Sequence, residues 1–297
     1  MNTLSKALTA TFLALSVSSA FADGIVEHNT QAFLDALNAG TGNPLEQLSP
    51  KDARAVLVGA QAGVKLALPK ADISEKTIQV NGQPISLTIV RPAGVKGELP
   101  VFMFFHGGGW VLGDFPTHER LVRDLVAGSG AVAVFVNYTP SPEAHYPIAI
   151  NQAYAATKWV AEHGKQINVD GKRLAVVGNS VGGNMAAVVA LMAKDKGTPA
   201  IRFQALLWPV TDASFETASY NQFAEGHCLS KNMMKWFWDN YPTDAGQRSE
   251  IYASPLRTSP AHPTGPPAAP VVPGVKGCAR AWAGSLSPSR CSAASCS

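Results

Sequence analysis

Short apolar segments alternate with longer amphipathic segments through the middle of this chain. Four of the apolar segments predict buried parallel strands, because strands covered on both faces are apolar along their whole length. These predicted strands are residues 101–105, 131–136, 174–177 and 203–208. The segments with helical spacing of apolar residues are 117–127, 147–164 and 184–191. This alternation indicates an α/β fold whose mostly parallel sheet is covered by helices on both faces.

The residues before this alternation predict a hairpin and a helical segment. Residues 77–80 and 85–90 flank Asn81-Gly82, a dipeptide that favours the tight turn of a β-hairpin. Farther towards the N-terminus, residues 33–37 and 53–68 have the apolar spacing of amphipathic helices.

The strand at 174–177 runs directly into Gly178-Asn179-Ser180-Val181-Gly182, and a helix-forming segment follows at once. A serine between two glycines on a strand-to-helix turn is typical of a nucleophile elbow. Gly178 and Gly182 fit it because so sharp a turn crowds the backbone on both sides of the serine. Ser180 is therefore a candidate catalytic nucleophile; the alternative is a serine in an ordinary glycine turn.

A second glycine-rich segment, His106-Gly107-Gly108-Gly109-Trp110, follows the strand at 101–105. Glycines allow backbone N–H groups to approach a ligand oxygen closely. Such donors form the oxyanion hole that stabilises a tetrahedral intermediate in acyl transfer. The alternative, a flexible glycine turn, fits less well with a nucleophile elbow farther along the chain.

With these two motifs the chain resembles the hormone-sensitive-lipase-like branch of the α/β-hydrolase esterases. A third match is the segment 137–143, which is similar to the family's Tyr-Arg-Leu-Ala-Pro-Glu stretch. The family usually has Asp at the position of Asn179 and Ala at that of Val181. The resemblance covers roughly residues 71–257.

The resemblance implies an α/β-hydrolase fold with a helical cap, and hydrolysis of a small carboxylic ester through an acyl-Ser180 intermediate. The oxyanion hole would consist of Gly107, Gly108, Gly109 and Val181. Gly108, Gly109 and Val181 would donate from their backbone N–H groups, and Gly107 would support the loop. His106 belongs to the same loop, where we expect a structural hydrogen-bonding role.

The chain divides into five predicted regions. Residues 1–22 resemble a signal peptide, with Lys6, an apolar core and the cleavage pattern Ala20-Phe21-Ala22, which indicates a periplasmic or secreted protein. Residues 23–70 would form an N-terminal cap segment, and residues 71–257 the hydrolase core. An aromatic-rich insertion near 210–252 would complete the cap and line an acyl pocket, unless its rings simply pack in the core.

The last region, residues 258–297, is rich in Pro, Ala and Ser, lacks acidic residues and holds three of the four cysteines. We expect a frameshifted or truncated C-terminus there, without the family's last strands and helices. The alternatives are a disordered tail and a disulfide-bearing secreted tail. Loss of the last strands would leave residues 203–207 as an exposed, aggregation-prone edge of the sheet.

The catalytic triad is incomplete in this sequence. Chain order in α/β-hydrolases is Ser, then Asp or Glu, then His. After Ser180 the only histidines are His227 and His262, and neither follows a predicted strand; Asp212 follows a strand, but one strand too early. The triad acid and base therefore remain unassigned, and the other histidines, apart from His106, are interpreted as surface or loop residues.

Charge and composition narrow the possible functions. The formal charge of +3, or +2 without Lys6, and the lack of a Lys/Arg cluster argue against a nucleic-acid partner. No His/Cys/Asp cluster has the spacing of metal ligands, and no organic cofactor is implied. Outside the signal no stretch is apolar enough to span a bilayer. Two alternatives to an esterase remain: a non-catalytic protein that binds acyl or ester ligands, and a non-functional fragment.

Overall fold

The computed structural model describes residues 28–40, 42–63 and 66–259, and a single six-stranded sheet lies at its centre. The strands are β1 (Ala71–Val80), β2 (Gln83–Pro92), β3 (Leu99–Phe105), β4 (Val132–Asn137), β5 (Val169–Asn179) and β6 (Phe203–Leu207). Their order across the sheet is β1-β2-β4-β3-β5-β6. β1 and β2 pair antiparallel to their neighbours, whereas β4, β3, β5 and β6 run parallel.

Helices cover both faces of the sheet. The helices of the described residues are α1 (His28–Asn38), α2 (Pro50–Ala62), α3 (Phe115–Ser129), α4 (Ile148–His163), α5 (Val181–Asp195), α6 (Ala218–Gln222) and α7 (Lys231–Asn240). On one face, α3 packs Val122 and Val126 against Phe104 of β3. On the other, α4 and α5 bury residues such as Ile150 and Met185. The predicted α/β architecture with a mostly parallel sheet is therefore confirmed.

The hairpin at the start of the sheet has the predicted turn. Asn81 and Gly82 both have positive φ, 50° and 75°, as a type I′ turn requires. The register runs from Val80 opposite Gln83 to Ala71 opposite Pro92, so the two strands are longer than the alternating pattern indicated.

Several predicted elements have other boundaries in the structure, and α2 and β6 are two of them. The helix expected at 53–68 is α2, which begins at Pro50 and ends at Ala62. Ser49 caps it by accepting a hydrogen bond from the backbone of Asp52, and Gly63 follows its last turn. Strand β6 ends at Leu207, because Trp208 turns to a positive φ of 39° and leaves the strand.

The N-terminal helical segment contacts the aromatic-rich region after β6. Asn38, at the end of α1, donates from its side-chain amide to the Gly226 carbonyl over 3.1 Å. In that region Phe237, Trp238 and Tyr241 are buried. These three rings therefore pack in the core, which was the alternative interpretation of the aromatic-rich insertion.

Several sequence predictions fall outside the described residues. The signal peptide at 1–22 is one, and the tail from 260 onwards, with His262, is another. Strand β6 forms one edge of the sheet in the described part of the chain, with Phe203 39% exposed. No helix there is long and apolar enough to cross a membrane.

Candidate active site

Ser180 lies at the turn between β5 and α5, in an unusual backbone conformation. Its φ of 54° and ψ of −121° lie in a region that non-glycine residues rarely occupy and that recurs at functional sites. The backbone is held there because the Ser180 N–H donates to the Leu207 carbonyl over 2.9 Å and its carbonyl accepts from the N–H of Val210 over 3.1 Å. The side chain makes no capping hydrogen bond to α5, so the hydroxyl is not used to begin that helix.

The two glycines of this turn are required by close backbone contacts. A Cβ atom at Gly178 would overlap the Gly182 carbonyl, and one at Gly182 would overlap the Phe105 carbonyl. The second contact also joins the turn to the end of β3, where the glycine-rich loop begins. The elbow and this loop are therefore in direct contact.

The loop after β3 folds back on itself through glycine conformations. Gly108 has a φ of 104°, and a Cβ there would overlap the Leu112 carbonyl. The Leu112 N–H donates to the Gly108 carbonyl over 2.7 Å and closes the turn. A Cβ at Gly109 would overlap the ring of Phe237, so α7 packs directly on the loop.

Trp110 anchors the same loop in the core. It is fully buried and stacks on Tyr241, with ring centroids 3.9 Å apart and planes 2° from parallel. The edge of Trp238 packs against it at 4.9 Å. Aromatic residues of the insertion therefore hold the loop from behind. The sequence showed their clustering without showing this contact.

The loop and the elbow are also joined by a side chain. The Gly107 N–H donates to Asn179 Oδ1 over 3.0 Å, so this N–H is already used inside the protein. This bond fits the prediction that Gly107 supports the loop. The N–H groups of Gly108, Gly109 and Val181 remain the candidates for binding an oxyanion.

His106 is buried beneath the loop in a structural position. Its Nδ1 donates to the Gly107 carbonyl over 2.8 Å, and its ring stacks on Tyr138 with centroids 4.2 Å apart. Burial, with His118 as a second cause, lowers the pKa of His106 to about 3. A neutral, stacked imidazole fits the structural role expected of this residue.

Arg54 of α2 fixes the outer end of the loop, a contact that no sequence signal indicated. Its guanidinium donates to the carbonyls of Val111, over 2.7 Å, and Ser141, over 2.9 Å. The same group binds both carboxylate oxygens of Glu143 at 2.7 Å and lowers the pKa of that carboxyl group to about 2. The resemblance drew attention to the 137–143 segment, but not to a partner on an N-terminal helix.

In the described part of the chain, no histidine hydrogen-bonds to Ser180. Nδ1 of His145 contacts the Asn240 carbonyl at 2.9 Å, and Nδ1 of His227 contacts the Glu225 carbonyl at 2.8 Å. Asp212 accepts from Arg257 over 2.6 Å, which makes it part of an ion pair. Each of these two residues therefore has a partner other than Ser180, and the structure gives no hydrogen bond from either His227 or Asp212 to the serine.

His118 was wrongly interpreted as a surface or loop residue. It lies in α3, is partly buried, and its ring centroid is 5.4 Å from that of His106. Its Nε2 lies 3.4 Å from Asn179 Nδ2. The spacing of α3 did not reveal this, because a histidine near a helix N-terminus gives no periodic signal of burial.

Comparison with known proteins gives a family match and several esterase relatives. A model of the alpha/beta hydrolase fold matches residues 102–280. The carboxylesterase NlhH of Mycobacterium tuberculosis is 37% identical over 171 residues, 57% of this chain and 54% of that protein. The ethyl acetate hydrolase of Pseudomonas putida is 31% identical over 237 residues, 77% of this chain and 74% of that protein. The chain therefore spans little more than half the length of the mycobacterial relative.

A solved structure is similar at higher identity. A thermostable esterase from Pseudomonas putida is 76% identical, and the match covers 82% of this chain and 76% of that one with a TM-score of 0.81. A fungal esterase from Rhizomucor miehei is 40% identical, with coverage of 79% and 73% and a TM-score of 0.75.

Proposed function

This chain belongs to the alpha/beta hydrolase fold family, and we propose that it hydrolyses carboxylic esters through an acyl intermediate on Ser180. The observation that carries the proposal is the backbone of Ser180, held at φ 54° on the β5–α5 turn with its hydroxyl free of helix capping. Similarity to a carboxylesterase, an ethyl acetate hydrolase and two solved esterases supports the same chemistry.

In the proposed reaction, Ser180 Oγ attacks the ester carbonyl carbon and gives its proton to water, because no described histidine is hydrogen-bonded to it. The charge that develops on the carbonyl oxygen is stabilised by the N–H groups of Gly108, Gly109 and Val181. The positive end of the α5 dipole adds to this, because Val181 is the first residue of that helix. The alcohol then leaves, and water hydrolyses the acyl-serine to release the acid.

The lack of a base beside Ser180 among the described residues sets the expected rate. A serine hydroxyl is a weak nucleophile without a base in hydrogen-bond reach, and no described histidine is bonded to Ser180. Serine enzymes stripped of triad members keep residual catalysis from the oxyanion hole and substrate binding. We expect turnover at least about a thousandfold below that of a complete relative, with no step in the pH profile near the ordinary histidine pKa of about 6.5.

Short acyl esters are the proposed substrate class, since one relative is an ethyl acetate hydrolase. The test is hydrolysis of p-nitrophenyl acetate, butyrate and octanoate by the wild type and by Ser180→Ala. We expect wild-type activity that falls with acyl length and is absent in the variant. Equal rates for both proteins would remove Ser180 from the mechanism.

A non-catalytic acyl-binding protein is the second candidate, because the described residues supply no base. It predicts saturable binding of a short ester without Ser180-dependent turnover, measured by calorimetry alongside the hydrolysis assay. We further propose export, with cleavage after Ala22 and a mature chain that begins at Asp23. N-terminal sequencing of protein exported from a Gram-negative host tests this, and an intact Met1 on exported protein would contradict it.

A further inference from the structure

Two hydrogen-bonded contacts connect helix α3 to the oxyanion loop, and a third holds the connecting histidine ring at the start of α3. His118 Nδ1 lies 3.2 Å from the Asp114 carbonyl, and its Nε2 lies 3.4 Å from Asn179 Nδ2. Asn179 Oδ1 in turn accepts from the Gly107 N–H over 3.0 Å. A ring on one helix therefore reaches the loop backbone through one side-chain amide.

The donors and acceptors in this relay fix one protonation state of His118. The Asp114 carbonyl can only accept, and Thr117 Oγ1 gives its own proton to that carbonyl. Both groups therefore face an Nδ1 that carries the proton. Nε2 is then a bare acceptor, and the Asn179 amide turns its NH₂ towards it and its oxygen towards Gly107.

We propose that His118 is a positioning residue for the oxyanion loop, acting through Asn179 and only in its neutral form. The proposal rests on the proposed ester chemistry of this site. A proton on Nε2 would face the Asn179 NH₂ group. The amide would have to turn over, and two donors would then meet at Gly107. The loop would lose the bond that ties it to the elbow.

The surroundings of His118 favour the neutral form. Its ring packs near Phe104 and Phe135, with centroids 6.4 and 6.5 Å away. The titratable groups that face it are His106, which is itself neutral, and Asp114 at the N-cap of α3. Burial is the largest cause that lowers the pKa of His118, while hydrogen bonding to the Asp114 backbone and the Asp114 charge oppose it.

The resembling family's aspartate at position 179 supplies a discriminating variant. A carboxylate accepts hydrogen bonds on both oxygens, so Asn179→Asp can bind Gly107 and a protonated His118 together. Asn179→Asp should therefore raise the pKa of His118 by about one unit or more, the usual effect of an opposite charge at this range. In this variant the position of the oxyanion loop should no longer depend on whether His118 is protonated.

The first test is NMR of the full chain, with ¹³C-labelled histidine and ¹⁵N backbone. In the wild type, the Gly107 amide resonance should shift as His118 titrates; in Asn179→Asp, the His118 pKa should rise and that shift should disappear. His118→Phe keeps the aromatic packing, removes the acceptor and should move the Gly107 resonance. His163→Gln is the matched control, because His163 contacts Trp159 rather than the loop. The proposal would be overturned if the His118 pKa were unchanged in Asn179→Asp, or if the Gly107 amide resonance did not shift when His118 is titrated or substituted.

The second test uses Ser180-dependent ester hydrolysis. Misplacing the loop should lower kcat about tenfold to a hundredfold in His118→Phe, with KM nearly unchanged. His118→Gln restores an acceptor and should recover part of the loss. A chain without Ser180-dependent hydrolysis would refute the ester proposal while the NMR result still decides the role of His118. If His118→Phe fails to fold, the titration of Asn179→Asp decides it alone.

Discussion

The two sides of Ser180 are built in different ways. Towards β3, the elbow and the glycine loop meet through backbone contacts so close that any side chain at Gly182 would overlap the Phe105 carbonyl. Towards β6 and the segment after it, Ser180 is held by backbone hydrogen bonds to Leu207 and Val210, and the nearby carboxylate of Asp212 is paired with Arg257. The first side has the N–H groups proposed to bind an oxyanion, whereas the second offers no base within the described residues. Close backbone contact requires glycine, so it can be predicted from a sequence. Side-chain packing is compatible with many residue types, so it cannot be predicted in the same way.

The largest expected effect is a loss of stability when the close contact between Gly182 and the Phe105 carbonyl is disturbed. Gly182→Ala places a methyl group on the Phe105 carbonyl, and backbone cannot move aside as a side chain can. We expect the variant to lose at least about 4 kcal/mol of unfolding free energy, the range of exceptional substitutions, or to be recovered only as aggregate. Urea denaturation measures this.

Gly128→Ala is the control, since nothing lies within 4 Å of a Cβ at that helical position. It should be neutral or stabilising by up to about 1 kcal/mol. Equal stability of the Gly182→Ala and Gly128→Ala proteins would mean that the space between residue 182 and the Phe105 carbonyl can accommodate a methyl group.

The next effect is on the glycine loop. Gly108→Val would overlap the Leu112 carbonyl, and we expect it to displace the N–H groups proposed to bind the oxyanion. We expect Ser180-dependent hydrolysis to fall by about two to three orders of magnitude, the effect of losing one oxyanion donor. Gly59→Val on α2, with open space around it, is the control. Full activity in Gly108→Val would exclude the loop from catalysis.

A smaller effect concerns pH. Burial lowers the pKa of His106 to about 3, below its ordinary value, so its contribution is present above about pH 6.5 and is lost as the pH falls towards 3. Between pH 7.5 and 4.5 this one group should remove about 2–3 kcal/mol of unfolding free energy. His106→Phe keeps a stacked ring without a titrating group and should lose that part of the pH dependence. The same slope in wild type and variant, measured by urea denaturation, would contradict a buried neutral histidine.

The smallest effect is expected at the Arg54 contacts. Glu143 is largely exposed, so Glu143→Gln should cost less than about 1 kcal/mol. Its pKa of about 2 means that the small stabilisation is present above the ordinary glutamate pKa and is lost as the pH falls towards 2. Arg54→Met should cost more, about 1–3 kcal/mol, because the Val111 and Ser141 carbonyls also lose their donor. Equal losses in the two variants would show that only the ion pair matters.

Sequence patterns predicted those parts of the molecule that local physics determines. The Asn81-Gly82 turn, the apolar strands and the contact of Gly178 with Gly182 in the Ser180 turn each depend on residues close together in the chain. The limits of α2 were wrong because apolar spacing was followed past Gly63, although Ser49 and Pro50 already marked its start.

The contacts of His118, Arg54 and Trp110 were not predictable in this way. Each joins segments far apart in the chain: His118 bonds a residue 61 positions away and Arg54 one 89 positions away. Neither residue type nor periodicity encodes such a partner. These contacts emerge only when the sheet brings the ends of β3 and β5 together.

The most direct test of the central claim is to find the acyl group on Ser180. Wild-type protein and Ser180→Ala would be incubated with p-nitrophenyl acetate, quenched in acid and digested, and the peptide containing residue 180 analysed by mass spectrometry. We predict an acetyl group on Ser180 in the wild type, and in the variant neither this adduct nor p-nitrophenol release above background. Hydrolysis at equal rates in both proteins, with no acetyl group on Ser180, would contradict it.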